Sequence, residues 1–328
     1  MDRFGFGLSS VRFICGTQSL HKTLELKVSE FLGTEDTILY SSAFDANGGV
    51  FEPLFTAEDV IISDELNHAS IIDGIRLTKT NKEKYQHSDM TNLENILEKH
   101  TDKRYRLIVT DGVFSMDGDI ADLKNIYSLA ERYHALVMVD DSHATGYIGK
   151  TGRGTPEYCG VQGSIDLLST TFGKALGGAS GGCISGRKEI IAMLRQKSRP
   201  YLFSNTLSPA VAGGTLKALE ILTSSSELGK QVMLNAALFK DAMIKNGFDI
   251  VKGDTAIVPV MLYDEKRAVA MSSRLLDEDI YVIGFTYPVV PKGKARIRVQ
   301  LSAAHTEKDV QTLISAFTRI GKELKIIT

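Results

Sequence analysis

Short apolar runs alternate with longer amphipathic stretches along the chain before Pro209. The runs are rich in Val, Ile and Leu, which suits strands buried on both faces of a sheet. The predicted strands are Thr37–Tyr40, Asp59–Ser63, Arg106–Thr110, Ala135–Val139, Ile165–Ser169 and Gly182–Ser185. The predicted helices between them are Leu20–Leu32, His68–Thr78, Met90–His100 and Leu123–Tyr133. This alternation predicts an α/β domain with a mostly parallel sheet.

The pattern changes after Pro209, where two long helical stretches begin at Ala210 and Glu227. Shorter elements follow them: strands at Ile257–Leu262, Tyr281–Gly284 and Ala295–Gln300, and helices at Lys266–Glu278 and Thr306–Leu324. We therefore expect a large domain over residues 1–210 and a smaller α+β domain over residues 211–328.

The composition is that of an ordinary globular protein, with 328 residues, 43% of them hydrophobic and 24% charged. A net charge of −2 gives no electrostatic reason to expect nucleic acid or an anionic membrane as a partner. Apolar runs such as Ala135–Val139 are too short to span a bilayer. The three cysteines lack metal-ligand spacing and indicate a reducing compartment. We predict no metal and a cytoplasmic location, with the mitochondrial matrix as the alternative if a targeting segment has been lost.

The stretch around Lys174 carries the most chemical information. This lysine follows the predicted strand Ile165–Ser169 and the hydroxyl residues Thr170 and Thr171, and a glycine-rich segment at 177–182 comes next. Glycines let the backbone approach a cofactor closely, and a lysine placed there can form a Schiff base. Taken alone, the run is equally compatible with a solvated lysine in a loop.

A second polar cluster, Asp140, Asp141, Ser142 and His143, follows the strand before it. The carboxyl ends of strands are where α/β sheets place ligand groups. An acid, a histidine and a lysine that each follow a buried strand indicate a pyridoxal phosphate site. Asp140 would pair with the ring nitrogen, although Asp141 fits that role equally well and either acid could instead cap a helix. His143 would bond the phenolic oxygen or be structural.

Other segments supply further candidates. The run from Leu39 to Gly49 ends a strand and opens a helix, whose first N–H groups could hold a phosphate. His68 would stack on an aromatic cofactor or cap its own helix. Arg296 and Arg298 share one face of a strand, where one of them could clamp a substrate carboxylate. A solvated strand face is the alternative for this pair.

Longer stretches resemble the α-oxoamine synthases, a family with the type I pyridoxal phosphate-dependent aminotransferase fold. The resemblance runs along essentially the whole sequence and is most specific at residues 4–17, 63–74, 110–118, 198–205 and 287–298. Within the family it is greatest to the branch that joins glycine to acetyl-CoA. Members usually carry a further N-terminal segment that covers the site, and this chain begins after the matching point. We expect cofactor binding to survive without that segment.

The resemblance implies a role for each matching position around the ring of the cofactor. Lys174 would bind pyridoxal phosphate covalently, and His68 would stack on the pyridine ring. Asp140 would pair with the ring nitrogen, which decides between the two aspartates. His143 and Ser115 would contact the phenolic oxygen. Of these residues, Lys174, His68, Asp140 and His143 would be catalytic.

Further positions are implied to bind the phosphate and the substrate. The backbone N–H groups of Ala43 and Phe44 would hold the phosphate together with Thr171. Ser204 would reach the cofactor phosphate of the other subunit, which implies a homodimer with shared sites. Arg298 would bind the carboxylate of glycine.

The activity that the resemblance implies is the condensation of glycine with acetyl-CoA to 2-amino-3-oxobutyrate and CoA. The reverse cleavage would serve threonine breakdown, in functional coupling with a threonine dehydrogenase. One alternative is a related synthase that uses a different acyl-CoA or amino acid. Another is a truncated form that binds the cofactor without turnover.

Overall fold

The computed structural model describes residues 2–328, which divide into two compact units. The larger unit contains the chain up to Val113 and then Ala121–Ser226. The smaller unit contains Phe114–Ile120 and Glu227–Thr328. The segment 114–120 therefore belongs with residues far from it in sequence.

A seven-stranded sheet runs through the described part of the larger unit, in the order β1-β7-β6-β5-β4-β2-β3. Its strands are β1 (Asp36–Tyr40), β2 (Val60–Asp64), β3 (Asn81–Tyr85), β4 (Arg106–Asp111), β5 (Leu136–Asp140), β6 (Leu167–Thr171) and β7 (Gly182–Gly186). Neighbouring strands pair in parallel from β3 to β6, whereas β7 pairs antiparallel with both β1 and β6. The predicted α/β fold with a mostly parallel sheet is confirmed.

The helices of the larger unit follow from local caps and apolar faces. Asp89 and Asp122 each cap a helix by accepting a hydrogen bond from the backbone N–H three residues on. The helices are α1 (Ser19–Leu32), α2 (Ala43–Gly48), α3 (Phe51–Leu54), α4 (Ala69–Arg76), α5 (Met90–Lys99), α6 (Leu123–Arg132), α7 (Thr155–Tyr158), α8 (Lys188–Lys197), α9 (Arg199–Phe203) and α10 (Pro209–Ser224).

The core of the larger unit lies where apolar strand residues meet these helices. Ile38, Ile61, Val109, Met138 and Ile184 are fully buried in it. Strands β2 and β4 are buried at every position, as expected for central parallel strands. The sheet therefore provides a rigid base for the loops at its carboxyl edge.

The smaller unit is built on a four-stranded sheet of order β10-β11-β9-β8, all of whose described pairs are antiparallel. Its elements are α11 (Glu227–Lys245), β8 (Asp249–Ile250), β9 (Ile257–Tyr263), α12 (Glu265–Leu276), β10 (Gly284–Phe285), β11 (Ala295–Gln300) and α13 (Glu307–Glu323). The predicted strand Tyr281–Gly284 is wrong, because pairing with β11 starts only at Gly284 and continues to Phe285.

The division between the units falls between Ser226 and Glu227, after α10. The sequence pattern places it between residues 210 and 211, within the first turn of α10. Helix α10 packs against α1, which keeps it in the larger unit. No helix within residues 2–328 is long and apolar enough to cross a membrane.

Candidate active site

A cavity of about 210 Å³ opens at the carboxyl edge of the large sheet. Its lining residues come from the ends of β1, β2, β4, β5 and β6 and the segments that follow them. They are Ser42, Ala43, Phe44, His68, Ser70, Asp111, Val113, Asp140, Ser142, His143, Thr171 and Lys174. The structure thus brings together the candidates Lys174, His68, Asp140, His143, Thr171, Ala43 and Phe44.

Lys174 lies in the loop between β6 and β7, with its side chain on the cavity. Gly177, Gly178 and Gly181 in this loop have φ values of 127°, 72° and 92°, which residues with a side chain rarely adopt. Thr171 stiffens the loop, because its hydroxyl accepts from the N–H of Gly173 at 3.1 Å. The glycine-rich sequence therefore folds the chain back sharply and leaves the amine at the cavity.

Asp140 ends β5 and is only 6% exposed. Its Oδ2 accepts a hydrogen bond from the amide of Asn47 at 2.6 Å, and its Oδ1 accepts one from the N–H of Ser142 at 3.0 Å. These two hydrogen bonds hold both oxygens of the carboxylate in place. The carboxylate of Asp140 is thus fixed in the lining of the cavity.

Asp141 has a different environment, and within the described chain it is not part of the cavity lining. Its carboxylate accepts from the N–H of Thr155 at 3.0 Å and from the hydroxyl of Thr145 at 2.7 Å. Burial raises the pKa of Asp141 to about 7. The geometry therefore gives this acid a structural role and places Asp140 alone of the two beside Lys174.

His68 both caps α4 and lines the cavity, so the two predicted alternatives are compatible. Its Nδ1 accepts from the N–H of Ser70 at 3.2 Å and lies 2.7 Å from the Ser70 hydroxyl. The backbone N–H of His68 donates a hydrogen bond to Oδ1 of Asp111 at 3.2 Å. The imidazole is held at the edge of the cavity by the start of its own helix.

Asp111 is a cavity residue that sequence reasoning missed. It ends β4 opposite Asp140 on β5 and is 4% exposed. Burial raises the pKa of Asp111 well above its ordinary value, and the neighbouring Asp140 raises it further. The signal was available, since Asp111 directly follows a predicted strand, as Asp140 does. Asn47 and Ser70 gave no comparable signal.

The N-terminus of α2 lies at the same cavity. The first N–H groups of a helix, here those of Ala43 and Phe44, cannot pair with carbonyls of their own helix. A Cβ on Gly182 would come within 2.5 Å of the backbone nitrogen of Ala43, so this position requires glycine for the strand and the helix to approach. The arrangement suits an anionic group near Thr171.

The remaining candidates lie elsewhere in the described chain. Ser204 is half-buried at the end of α9 in the larger unit. Ser115 and Arg298 belong to the smaller unit, where Nη1 of Arg298 donates to the carbonyl of Ser115 at 3.0 Å. Arg296 is 5% exposed and forms a salt bridge with Asp117, which gives it a structural role. Arg298 lies against the ring of Phe285 and lines a cavity of about 720 Å³.

The groups around the cavity fit pyridoxal phosphate. The amine of Lys174 suits its aldehyde, the carboxylate of Asp140 suits its ring nitrogen, and the start of α2 suits its phosphate. Ser142 supplies a further indication, because its buried hydroxyl lines the cavity without a hydrogen-bond partner among residues 2–328. Fold and site together define a pyridoxal phosphate-dependent enzyme of the type I fold.

The chain belongs to the aminotransferase class I and II family, which it matches over residues 3–317. It is 56% identical to the 2-amino-3-ketobutyrate coenzyme A ligase of Escherichia coli K12, across 100% of this chain and 83% of the relative. It is 47% identical to the 8-amino-7-oxononanoate synthase of Thermosipho melanesiensis, with the same coverage of 100% and 83%. The solved structure of Sphingomonas wittichii serine palmitoyltransferase superposes with a TM-score of 0.96 at 30% identity, covering 100% of this chain and 82% of that one.

Proposed function

We propose that this protein transfers the acetyl group of acetyl-CoA to glycine, forming 2-amino-3-oxobutyrate and CoA, and that it also catalyses the reverse cleavage. The observation that carries the proposal is the cavity in which Lys174 and Asp140 meet. The choice of substrates rests on the 56% identity to 2-amino-3-ketobutyrate coenzyme A ligase over the whole chain.

The reaction balances without an oxidant or a reductant. A carbon–carbon bond forms between the α-carbon of glycine and the acetyl carbon, and the thioester carbon–sulfur bond breaks. The α-proton of glycine is removed, and the leaving thiolate of CoA takes up a proton. Bound pyridoxal phosphate supplies an electron sink for the negative charge that develops at the α-carbon.

The residues of the chain would divide the remaining work. Lys174 would hold the cofactor and, once glycine displaces it, its Nζ would take the α-proton as general base. Asp140 would keep a proton on the ring nitrogen by offering a carboxylate to it. His68 would lie against the ring, and His143 and Ser115 would bond the phenolic oxygen.

Further residues would bind the phosphate and the substrate carboxylate. The N–H groups of Ala43 and Phe44 and the hydroxyl of Thr171 would hold the phosphate, and Ser204 would reach the phosphate of the other subunit. Arg298 would bind the carboxylate of glycine, since guanidinium groups pair with carboxylates in a bidentate manner.

A second candidate is a synthase of the same chemistry with a different acyl donor. The 47% identity to an 8-amino-7-oxononanoate synthase favours it, because that relative covers this chain completely. The higher identity to the ligase favours acetyl-CoA and glycine. A homodimer, coupling to a threonine dehydrogenase and a cytoplasmic location complete the proposal.

The test is a substrate series. Purified protein saturated with pyridoxal phosphate is given acetyl-CoA or longer acyl-CoA thioesters, each with glycine, alanine or serine, and the released CoA thiol is measured. We expect glycine with acetyl-CoA to give the highest kcat/KM, and Lys174→Ala to lower it by about 10²-fold or more. A higher value with a longer acyl-CoA would favour the second candidate, and no glycine-dependent release would overturn the proposal.

A further inference from the structure

Asn47 connects two residues of the cavity that are distant in sequence. It lies on α2, is fully buried, and is not itself part of the cavity lining within the described chain. Its Nδ2 donates to Oδ2 of Asp140 at 2.6 Å and to Oγ of Ser70 at 2.9 Å. Both amide hydrogens are therefore used, one on a carboxylate of β5 and one on a hydroxyl of α4.

The orientation of this amide is determined by Asp140. If the amide were turned over, its carbonyl oxygen would face a carboxylate oxygen at 2.6 Å with no hydrogen between them. In the observed orientation Oδ1 of Asn47 is buried and accepts no hydrogen bond within residues 2–328. Leaving this buried oxygen without a hydrogen bond is unfavourable. The same orientation lets Nδ2 donate to both Asp140 and Ser70.

The direction of donation continues from Ser70 to His68. Because Ser70 Oγ accepts from Asn47, its own hydrogen is available for Nδ1 of His68, 2.7 Å away. The N–H of Ser70 also points at Nδ1, at 3.2 Å. Two donors at Nδ1 favour the tautomer of His68 with its proton on Nε2.

The packing of the helices keeps the bridge in place. A Cβ on Gly74 of α4 would come within 2.9 Å of the carbonyl oxygen of Asn47 on α2. Glycine inside a helix is less favourable than alanine, and the close approach of α2 and α4 explains why glycine stands at position 74. Asn47 is thereby held against Ser70.

We propose that Asn47 is a positioning residue that couples Asp140 to His68 through Ser70. It orients the Asp140 carboxylate and the His68 imidazole relative to one another, so that the two groups assigned to the ring are set by one buried network. This inference rests on the proposed function only in assigning Asp140 and His68 to pyridoxal phosphate.

The experiment is a double-mutant cycle with Asn47→Ala, Ser70→Ala and the double variant. The dissociation constant of pyridoxal phosphate and the visible circular dichroism of the bound cofactor are measured without substrate. We expect Asn47→Ala to weaken cofactor binding by about tenfold to hundredfold, the range for a hydrogen bond to a charged group. The double variant should bind no more than a few-fold more weakly than Asn47→Ala, and both should change the dichroic band.

Asn235→Ala is the matched control, since Asn235 is also buried and donates two hydrogen bonds, to the carbonyls of Ser302 and His305 in the smaller unit. It should lower the melting temperature of the apoprotein while cofactor affinity and dichroism stay at the wild-type values. If Asn47→Ala does not fold, Asn47→Leu replaces it, because leucine has a similar size, lacks a hydrogen-bond donor and adds no charge beside Asp140. Unchanged affinity and dichroism in the Asn47 variant would overturn the inference, as would effects of Asn47 and Ser70 that simply multiply. If the wild type binds cofactor but gives no glycine-dependent CoA release, the proposed function fails and this cycle still decides the coupling.

Discussion

At the scale of single residues, the adjacent acids Asp140 and Asp141 differ in their hydrogen-bond partners, and this difference determines which of them belongs to the candidate site. Asp140 receives hydrogen bonds from Asn47 and Ser142 beside the cavity, whereas Asp141 faces Thr145 and Thr155. The two residues are adjacent in sequence, yet the alternation of a strand end sends them in opposite directions. The burial of Asp141 leads to a pH dependence of stability that can be measured.

Replacing Asp141 with asparagine tests that pH dependence. Burial raises the pKa of Asp141 to about 7 in the folded protein, so its contribution to stability is full below about pH 4 and is lost as the pH rises through about 7. Asp141→Asn cannot ionise and should lack this loss. Urea unfolding at pH 4.5 and pH 7.5 should show the wild type losing about 3 kcal/mol more than the variant between the two pH values. An equal loss in both proteins would contradict the burial of an ionisable group here.

Sequence alone could predict the residues that follow buried strands, and it could not predict those that support them. Lys174, Asp140 and His68 stand at strand ends, where ligand groups are expected. Asn47 lies in the middle of a short helix, and only the packing of α2 against the sheet and α4 brings it to Asp140 and Ser70. Asp111 could have been found by the strand-end rule.

At the scale of elements, long periodic segments were predictable and short or polar ones were not. Strand β3 has the sequence Asn-Lys-Glu-Lys-Tyr and was missed because it lies at the edge of the sheet, where charged side chains stay exposed. The predicted strand at 281–284 has suitable residues, but Tyr281 is 76% exposed and the chain pairs with β11 only from Gly284. Pairing partners, which the local pattern does not contain, decide such cases.

The contact between β7 and α2 gives a prediction at this scale. In Gly182→Ala the new Cβ would lie 2.5 Å from the nitrogen of Ala43, so the start of α2 must move. We expect a loss of about 1–3 kcal/mol in unfolding free energy and weaker binding of pyridoxal phosphate. The control is Gly213→Ala in α10, where nothing lies within 4 Å of the added Cβ, and stability should rise by about 0.5–1 kcal/mol. Equal effects of the two substitutions on cofactor affinity would argue against a phosphate site at α2.

At the scale of the whole molecule, the residues proposed for the site are divided between the two compact units. Lys174 and Asp140 belong to the larger unit, whereas Ser115 and Arg298 belong to the smaller one. The segment 114–120, which belongs to the smaller unit, follows β4 of the larger unit closely in sequence. The overall α/β class was predictable from the alternation of elements. The assignment of residues 114–120 to the smaller unit was not predictable from that alternation.

The proposed homodimer with shared sites can be tested by mixing two disabled variants. Lys174→Ala removes the amine, and Ser204→Glu places a negative charge where Ser204 would meet the phosphate of the other subunit. In a hybrid dimer one of the two sites is intact, and random reassociation makes half of the dimers hybrid, so activity should recover to about a quarter of the wild-type value. No recovery after confirmed exchange of subunits would contradict a site shared between subunits.

The central claim is that Lys174 is the residue that binds pyridoxal phosphate at the carboxyl edge of the large sheet. The most direct measurement is borohydride reduction of the cofactor-loaded protein, followed by proteolysis and mass spectrometry of the peptides. The claim predicts a phosphopyridoxyl group on the peptide that contains Lys174, and no such group at this position in Lys174→Ala. A label on another lysine, or none in a protein that has taken up the cofactor, would contradict it.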